Sequence, residues 1–140
     1  MDLKKDEILE KVKFKIPGRS TNFHFEKVSQ RKYLDIATVN FSSSITLNAS
    51  KKITDLHMAV GGVGPIPMYL HKTVKFLKNK KLSAELIDAG IEMLQKEITP
   101  ISDTRGSADY KRLVARQLFL AQFLNLDPNI YDVQKLVGAW

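Results

Sequence analysis

"IATVNFSSSITLNASKKITDLHMAVGG", residues 36–62, decides the fold that the sequence predicts. Its first part, 36–48, is rich in β-branched and small residues, which favour a buried strand. The polar stretch "NASKK" (48–52) is typical of a turn, and "ITDLHMAVGG" (53–62) predicts a second strand. Two strands joined by so short a turn pair antiparallel. The centre of the chain is therefore predicted to form a β-hairpin.

An alternating segment, "KVKFKIP" (11–17), lies near the start of the chain. Its apolar residues are Val12, Phe14 and Ile16, and its lysines are Lys11, Lys13 and Lys15. A period of two marks a half-buried strand, and Pro17 would end it. We expect a strand here, with the lysine row protecting an edge of the sheet.

The segment "TNFHFEKV" (21–28) alternates again and predicts another strand. Phe23, Phe25 and Lys27 fall on one side of it. Because large apolar side chains are buried more often than not, we expect both phenylalanines on the side that the helices cover. Lys27 then stands where the pattern predicts an apolar residue.

The turn-rich segment "GGVGPIP" (61–67) is expected to end the sheet. Pro67 suits the first position of a helix, which we predict to run through "MYLHKTVKFLKNK" (68–80).

Two longer helices are predicted downstream. Ser83 is a suitable N-cap for a helix over 84–97, and the last helix begins near Ser107. The apolar residues of the first are Leu86, Ile87, Ile91, Leu94 and Ile98, and those of the second are Tyr110, Leu113, Val114, Leu118 and Ala121. Both sets recur at helical spacing, which predicts amphipathic helices.

Strands followed by helices indicate an α+β fold, with an antiparallel sheet of three to four strands and about three helices packed on one face. We expect a single domain over 1–140, with 125–140 forming a C-terminal extension. At 140 residues the chain is long enough to bury a core.

Composition narrows the functional classes. The chain has no cysteine, which excludes disulfides, thiolate metal sites and a cysteine nucleophile. It has neither an apolar run of the roughly 20 residues that span a bilayer nor a secretory leader pattern, so we expect a cytoplasmic protein without membrane contact.

Charge is divided unevenly along the chain. Residues 1–81 hold 16 Lys and Arg against 7 Asp and Glu, whereas residues 82–140 hold 6 against 8. A basic half with nearby aromatic residues is compatible with nucleic-acid binding. A solvated lysine surface explains the same charge more simply, and nucleic acid is the less favoured partner.

Candidate catalytic and metal sites find little support. "GGVGPIP" has Pro67 where a dinucleotide fingerprint needs its third glycine, and its prolines lack N–H donors for a phosphate. The histidines His24, His57 and His71 lie on three separate predicted elements, outside any metal-binding spacing. The sequence therefore indicates no catalytic residue and no metal ligand.

Three stretches taken together carry a resemblance: "FEKVSQRKYLDIATVN" (25–40), "AVGGVGPIP" (59–67) and "PISDTRGSADYKR" (100–112). In this order they resemble the C-terminal domain of the FAD-binding subunit of molybdenum hydroxylases, the family of xanthine dehydrogenase and the carbon monoxide dehydrogenase flavoprotein. The resemblance covers about residues 2–124, and "TPISD" is most similar to the xanthine dehydrogenase branch.

The resemblance implies a domain that closes over a flavin held mainly by a preceding FAD-binding domain. It implies electron transfer from [2Fe-2S] clusters and a molybdopterin centre on partner subunits or segments, through FAD, to NAD or another acceptor. This chain alone would be inactive and would bind FAD weakly or not at all. A domain separated from its partners is also expected to expose surface through which it could self-associate.

One residue of the resemblance carries chemistry. In the family a lysine in the F-x-K-x-S-x-R context approaches the flavin ring, and here that position is Lys27. The resemblance thus implies that Lys27 is cofactor-binding, and a cation there would favour the negative charge of the reduced flavin. Arg31 and Asp35 match the following family positions, and we interpret them as an ion pair or turn contact.

Local chemistry explains much of the stretch 100–112. Pro100 ends a helix, Asp103 can close a turn on nearby N–H groups, and Gly106 allows an unusual backbone angle. Ser107 then caps the last helix. Turn chemistry does not account for Arg105, which we expect to brace neighbouring backbone or the missing domain.

Overall fold

The computed structural model of the chain describes residues 3–14 and 16–131. The strands are β1 (Thr21–Val28), β2 (Val39–Leu47), β3 (Ile53–Gly61) and β4 (Met68–Tyr69), and the helices are α1 (His71–Leu77), α2 (Ala84–Glu97) and α3 (Ala108–Leu126). The strands form one antiparallel sheet in the order β1-β2-β3-β4. The predicted α+β class is confirmed.

The central hairpin forms as predicted. β2 and β3 pair antiparallel, with Ser43 opposite Met58 and Ile45 opposite Leu56. In the turn, Asn48 Oδ1 accepts hydrogen bonds from the main-chain N–H groups of Ser50 (3.1 Å) and Lys52 (2.9 Å). An asparagine side chain that binds its own downstream backbone stabilises the turn without help from the rest of the fold.

One face of this hairpin forms the floor of the core. Its buried apolar side chains are Val39, Phe41, Ile45, Leu56, Met58 and Val60. α3 packs on β1 and β2, α1 packs on β3, and α2 packs against both other helices. Phe41 meets Phe119 of α3 edge to face, with 6.0 Å between ring centroids. The helices therefore cover one face of the sheet, as predicted.

The prediction for the phenylalanines of β1 was wrong. Phe23 is 65% exposed and Phe25 52% exposed, on the face opposite the helices. Phe25 pairs with Ser42, whereas Glu26 pairs with the buried Phe41, so pairing with β2 places the even-numbered residues of β1 towards α3. The long-range register thus determines the phase of β1, and the hydrophobicity of its own residues does not.

The predicted strand over 11–17 was also wrong. Residues 11–14 and 16–17 have no regular secondary structure, and Lys15 lies outside the described residues. The apolar residues Val12, Phe14 and Ile16 are each at least 73% exposed. A period-two pattern shows that a segment is suited to a strand, but a strand also needs an adjacent edge with which to pair.

The first predicted helix, over 68–80, needs a change of boundary. The sheet does not end at 61–67, because Met68 and Tyr69 form β4 against β3, and α1 begins only at His71. Leu70 N donates to Met58 O (3.0 Å), which keeps the chain extended there. The main-chain N–H groups of Lys72 and Thr73 then donate hydrogen bonds to the carboxylate of Glu97, at 2.9 and 2.8 Å. A cap supplied from another helix is not visible in the local sequence.

α2 and α3 begin where predicted. Ser83 accepts from Leu86 N (3.2 Å) and Ser107 accepts from Tyr110 N (3.1 Å). The inward face of α2 is confirmed, but Tyr110 and Leu113 of α3 are more than 40% exposed. The buried residues of α3 are Lys111, Val114, Ala115, Leu118, Phe119, Gln122 and Phe123.

After α3 the chain continues through Asp127–Tyr131, and Tyr131 donates to Asp88 Oδ1 (2.7 Å). Residues 132–140 of the expected C-terminal extension lie outside the described residues. Over the described ranges, no helix is long and apolar enough to cross a lipid bilayer.

Candidate functional site

The three sequence stretches that carry the resemblance meet at one end of the domain. They enclose a groove of about 420 Å³ at the ends of β2 and β3, which we call the signature groove. Its lining residues are Ile36, Ala37, Thr38, Asn40, Gly61, Gly62, Gly64, Pro65, Ile66, Pro67, Ile101, Asp103, Arg105 and Lys111. Segments far apart in the sequence thus build one surface.

The floor of the signature groove depends on a close backbone contact. Gly62 has φ +84°, and a Cβ there would lie 2.1 Å from the carbonyl oxygen of Thr38. Thr38 is itself buried and is held by two hydrogen bonds. Its main-chain N–H donates to Val28 O (2.8 Å), and its Oγ1 donates to Arg105 O (3.2 Å). Glycine is therefore required at 62 because any side chain would separate the first two stretches.

The rim of the signature groove is apolar and exposed. Ile36 is 67% exposed, Ile66 70% and Ile101 71%. Each comes from a different connection: β1–β2, β3–β4 and α2–α3. An exposed apolar rim around a polar floor is typical of surfaces that contact another protein unit.

An ion pair between the buried Lys111 and the partly exposed Asp103 holds the third stretch. The ammonium of Lys111, whose side chain is 3% exposed, donates to Asp103 Oδ2 (2.7 Å) and to Ile101 O (3.0 Å). Asp103 Oδ1 accepts from Arg105 N (2.8 Å), which confirms the turn expected of Asp103. The Lys111 ammonium, followed by the Arg105 N–H, holds the pKa of Asp103 below its usual range.

Lys111 was not singled out by sequence reasoning. Its signal was its phase, because it lies three and four positions before the buried Val114 and Ala115. A lysine on the buried side of an amphipathic helix needs an anion, and Asp103 is the carboxylate on the adjoining turn. Gly106, with φ +155°, lets the chain turn back from Asp103 into α3, as predicted.

Arg105 contributes its main chain to the fold and leaves its side chain at the groove. Its N–H and C=O bind Asp103 and Thr38. Its guanidinium is 42% exposed and comes no closer than 4.0 Å to Asp103 Oδ2. An exposed pair at this distance contributes little to stability. The guanidinium therefore remains accessible to a group outside the described chain.

Lys27 lies beside the signature groove on the uncovered face of the sheet. Strand register aligns Lys27 with Asn40, and Asn40 with Gly61, so the three residues form a row across β1, β2 and β3. Asn40 and Gly61 also line the groove. Lys27 Nζ donates to the main-chain oxygen of Asp35 (3.0 Å). The residue expected to approach the flavin is thus exposed and continuous with the groove.

The uncovered face of the sheet, which we call the open face, is lined by aromatic and small polar side chains. Its residues are Phe23, Phe25 and Lys27 of β1, Asn40, Ser42 and Ser44 of β2, Asp55, His57, Ala59 and Gly61 of β3, and Tyr69 of β4. His57 Nδ1 lies 2.9 Å from Tyr69 Oη, and Asp55 accepts from Lys78 Nζ at 2.7 Å. These contacts tie the short β4 and the end of α1 to the sheet.

The three histidines are used within the fold. His24 contacts Asn125 (2.7 Å), whereas His57 and His71 flank Tyr69. Over residues 3–14 and 16–131, no cluster of three or more His, Cys, Asp or Glu side chains could hold a metal ion.

Comparison with known proteins gives one family. The family model of the CO dehydrogenase flavoprotein C-terminal domain matches residues 24–126. Among relatives, xanthine dehydrogenase of Blastobotrys adeninivorans is 33% identical over 98 residues, which cover 66% of this chain and 7% of that protein. The carbon monoxide dehydrogenase medium chain of Afipia carboxidovorans is 25% identical over 109 residues, covering 78% of this chain and 37% of that one.

Solved structures show the same fold. Carbon monoxide dehydrogenase from Hydrogenophaga pseudoflava superposes with a TM-score of 0.67 at 22% identity, over 73% of this chain and 35% of that chain. Quinoline 2-oxidoreductase from Pseudomonas putida 86 gives 0.67 at 21% identity, over 79% and 38%. The chain thus spans well under half the length of each of these proteins.

The ion pair between Lys111 and Asp103 gives the first testable prediction. Asp103→Asn should destabilise the domain more than Lys111→Met, because the former leaves a buried ammonium without its anion, whereas the latter leaves a carboxylate that water can reach. The control Arg105→Gln should change the unfolding free energy by no more than about 0.5 kcal/mol. Urea unfolding at pH 7 measures all three.

The same variants have a defined pH dependence. Because the folded-state pKa of Asp103 is lowered, its stabilisation is complete above the unfolded value near 3.8 and is lost as the pH falls through the folded value. The difference between the wild type and Asp103→Asn should therefore shrink in acid. A difference that stayed constant to pH 2 would contradict the ion pair.

Proposed function

The chain belongs to the family of CO dehydrogenase flavoprotein C-terminal domains, and on that premise we propose that it closes over the flavin in the FAD-binding subunit of a xanthine dehydrogenase-like molybdenum hydroxylase. In that position it helps electrons pass from iron–sulfur clusters through FAD to NAD or another acceptor. The domain does not catalyse a reaction by itself.

The observation that carries this proposal is the pairing of an exposed aromatic ring with an exposed cation. Phe25 and Lys27 are two residues apart on β1, so their side chains emerge on the same face about 7 Å apart. Phe25 is 52% exposed although it lies within a paired strand. A flat heteroaromatic ring with an electron-rich edge fits such a pair, because the phenyl ring can contact its face and the ammonium can meet its edge.

FAD, when bound, supplies the redox chemistry of such an enzyme. In this proposal the chain contributes electrostatically, because the Lys27 ammonium would favour negative charge at the pyrimidine end of the flavin and so raise its reduction potential. The open face also gives the ring an apolar contact that excludes water from that side.

The geometry of this chain supports a separate domain that binds the pyrophosphate part of FAD. The glycine turn 61–67 cannot cradle a pyrophosphate, because the space beside Gly62 is filled by the Thr38 carbonyl and Pro65 and Pro67 have no N–H. We infer that the pyrophosphate is bound by a preceding FAD-binding domain.

The signature groove is the surface we assign to that domain. It adjoins the Lys27 row through Asn40 and Gly61, so a unit that places a flavin over Lys27 also covers the groove. The exposed isoleucine rim offers apolar contact, and the Arg105 guanidinium offers an anchor for a carboxylate. Iron–sulfur and molybdenum subunits, which carry the [2Fe-2S] clusters and molybdopterin, complete the proposed assembly.

If a preceding domain binds the pyrophosphate of FAD, the isolated chain should bind FAD weakly or not at all. The reason is that the turn 61–67 offers the pyrophosphate no cradle of N–H groups. Isothermal titration with FAD, and with riboflavin as a phosphate-free control, should give similarly weak signals. Tight one-to-one binding of FAD by this chain alone would contradict the proposal.

The role of Lys27 predicts an effect on potential and little effect on stability. In the FAD-loaded subunit, Lys27→Ala should lower the flavin reduction potential, because the negative charge of the reduced ring loses its cation. As an exposed side chain, Lys27 should contribute no more than about 0.5 kcal/mol to stability. Lys96→Ala, on the water-facing side of α2, is the matched control. An unchanged potential for Lys27→Ala would show that Lys27 is remote from the ring.

A stand-alone nucleic-acid-binding module is the second candidate, and one observation favours it. Phe23 and Phe25 are exposed beside Lys27, although the sequence had predicted that both rings would be covered. Exposed rings with basic neighbours can stack bases. Membership of a flavoprotein family favours the flavin instead.

A titration with a single-stranded oligonucleotide separates the two candidates. A base-stacking face would bind with an affinity that falls steeply between about 50 and 200 mM salt, and Phe25→Ala would weaken it. We expect binding to be absent or insensitive to salt. Steep salt dependence together with a loss in Phe25→Ala would instead establish the nucleic-acid candidate.

A further inference from the structure

A main-chain hydrogen bond joins the two ends of the connection between β1 and β2. Residues 29–38 lie between the two strands, and Thr38 N donates to Val28 O (2.8 Å), which closes residues 29–37 into a loop. Within it, Ser29 Oγ donates to Arg31 O (2.9 Å). Leu34 adopts a left-handed conformation with φ +50°, which a leucine takes up only where its surroundings impose it.

Asp35 accepts a hydrogen bond across this connection. Its Oδ2 accepts the main-chain N–H of Arg31 at 2.8 Å, and its side chain is only 17% exposed. The Arg31 guanidinium is 73% exposed, lies 3.8 Å from Oδ1 and donates to the main-chain oxygen of Leu34 (3.3 Å), so the shorter hydrogen bond from the main chain is the stronger contact. That N–H, with the guanidinium charge as a smaller contribution, lowers the pKa of Asp35.

The same residue also holds Lys27. The main-chain oxygen of Asp35 accepts from Lys27 Nζ at 3.0 Å, and among the described residues it is the acceptor within hydrogen-bond distance of that ammonium. An ammonium has three N–H donors, so two remain for an external acceptor. The carbonyl can thus hold the lysine in place without neutralising it.

From this geometry we propose that Asp35 is a positioning residue for Lys27: its carboxylate closes the 29–37 connection, and its carbonyl then fixes the Lys27 ammonium on the open face. The functional consequence rests on the proposed role of Lys27 at the flavin. A lysine side chain otherwise samples many rotamers, and fixing it before the ring arrives removes that entropy from the binding step. Arg31 takes part chiefly through its main-chain N–H, and its exposed guanidinium adds the longer hydrogen bond to the Leu34 carbonyl.

Three variants test the proposal. Asp35→Ala removes the acceptor, Asp35→Asn keeps an acceptor oxygen of the same reach, and Arg31→Gln removes the guanidinium but keeps the N–H. If the hydrogen bond positions Lys27, only Asp35→Ala releases the lysine. If the ion pair were responsible, Asp35→Asn and Arg31→Gln would release it as well, which would overturn the mechanism.

The first readout uses this chain alone and needs no flavin. With ¹³C-labelled lysine, NMR relaxation of the Lys27 Cε should show restricted motion in the wild type, Asp35→Asn and Arg31→Gln. In Asp35→Ala the order parameter should fall to that of Lys96. Amide exchange in β2 and β3 monitors the fold of each variant. Unchanged Lys27 motion in a folded Asp35→Ala variant would overturn the proposal.

The second readout is the reduction potential of the FAD-loaded subunit. Asp35→Ala should lower the potential in the same direction as Lys27→Ala, and the double variant should be no lower than Lys27→Ala alone. A potential that responds to Lys27→Ala but not to Asp35→Ala overturns the positioning role and leaves the proposed function intact. If neither variant changes the potential, the proposed role of Lys27 at the flavin fails, whereas the Lys27 motion in the isolated chain still decides whether Asp35 positions it.

Discussion

The edge-to-face contact between Phe41 and Phe119 is the constraint on which the rest of the structure depends. Both rings are fully buried, and their contact fixes the odd-numbered residues of β2 on the helix side of the sheet. Antiparallel pairing then transmits this phase in both directions, because residues opposite one another share a face. The buried hydrogen bond from Ser43 to Gln122 (2.7 Å) follows the same phase and satisfies two polar groups inside the core. Phe25 and Lys27 are on the open face for this reason.

How much of the fold could be predicted depended on whether its cause was local. The β2–β3 hairpin and the start of α2 were correct, because an asparagine turn and a serine cap act within a few residues. The face of β1 and the start of α1 were wrong, because β2 decides the first and Glu97 the second. The segment 11–17 has the alternation of a strand, yet alternation cannot supply a neighbouring edge.

The candidate site, too, could be predicted in part from the sequence and in part only from the fold. Lys27 was identified through a resemblance, and its place on the open face follows from the strand register. Lys111 was missed because a lysine inside an amphipathic pattern is usually a solvated residue, and its partner Asp103 precedes the helix. The convergence of three stretches on one groove required the fold, because Thr38, Gly62 and Arg105 meet through backbone contacts that no side-chain pattern records.

The residues assigned to function share one physical property: the functional groups of their side chains remain accessible in the folded domain. Lys111 is cationic like Arg105, but its ammonium is buried against Asp103 and can offer nothing to a partner. Arg105 gives its main chain to the fold and keeps its guanidinium accessible, and Phe25 pairs through its backbone and keeps its ring exposed. An exposed ring costs a domain solubility and an unpaired guanidinium adds little stability, so a partner that covers them accounts for their presence better than the isolated domain does. The open face and the signature groove are for that reason the surfaces to which the proposed function assigns such a partner.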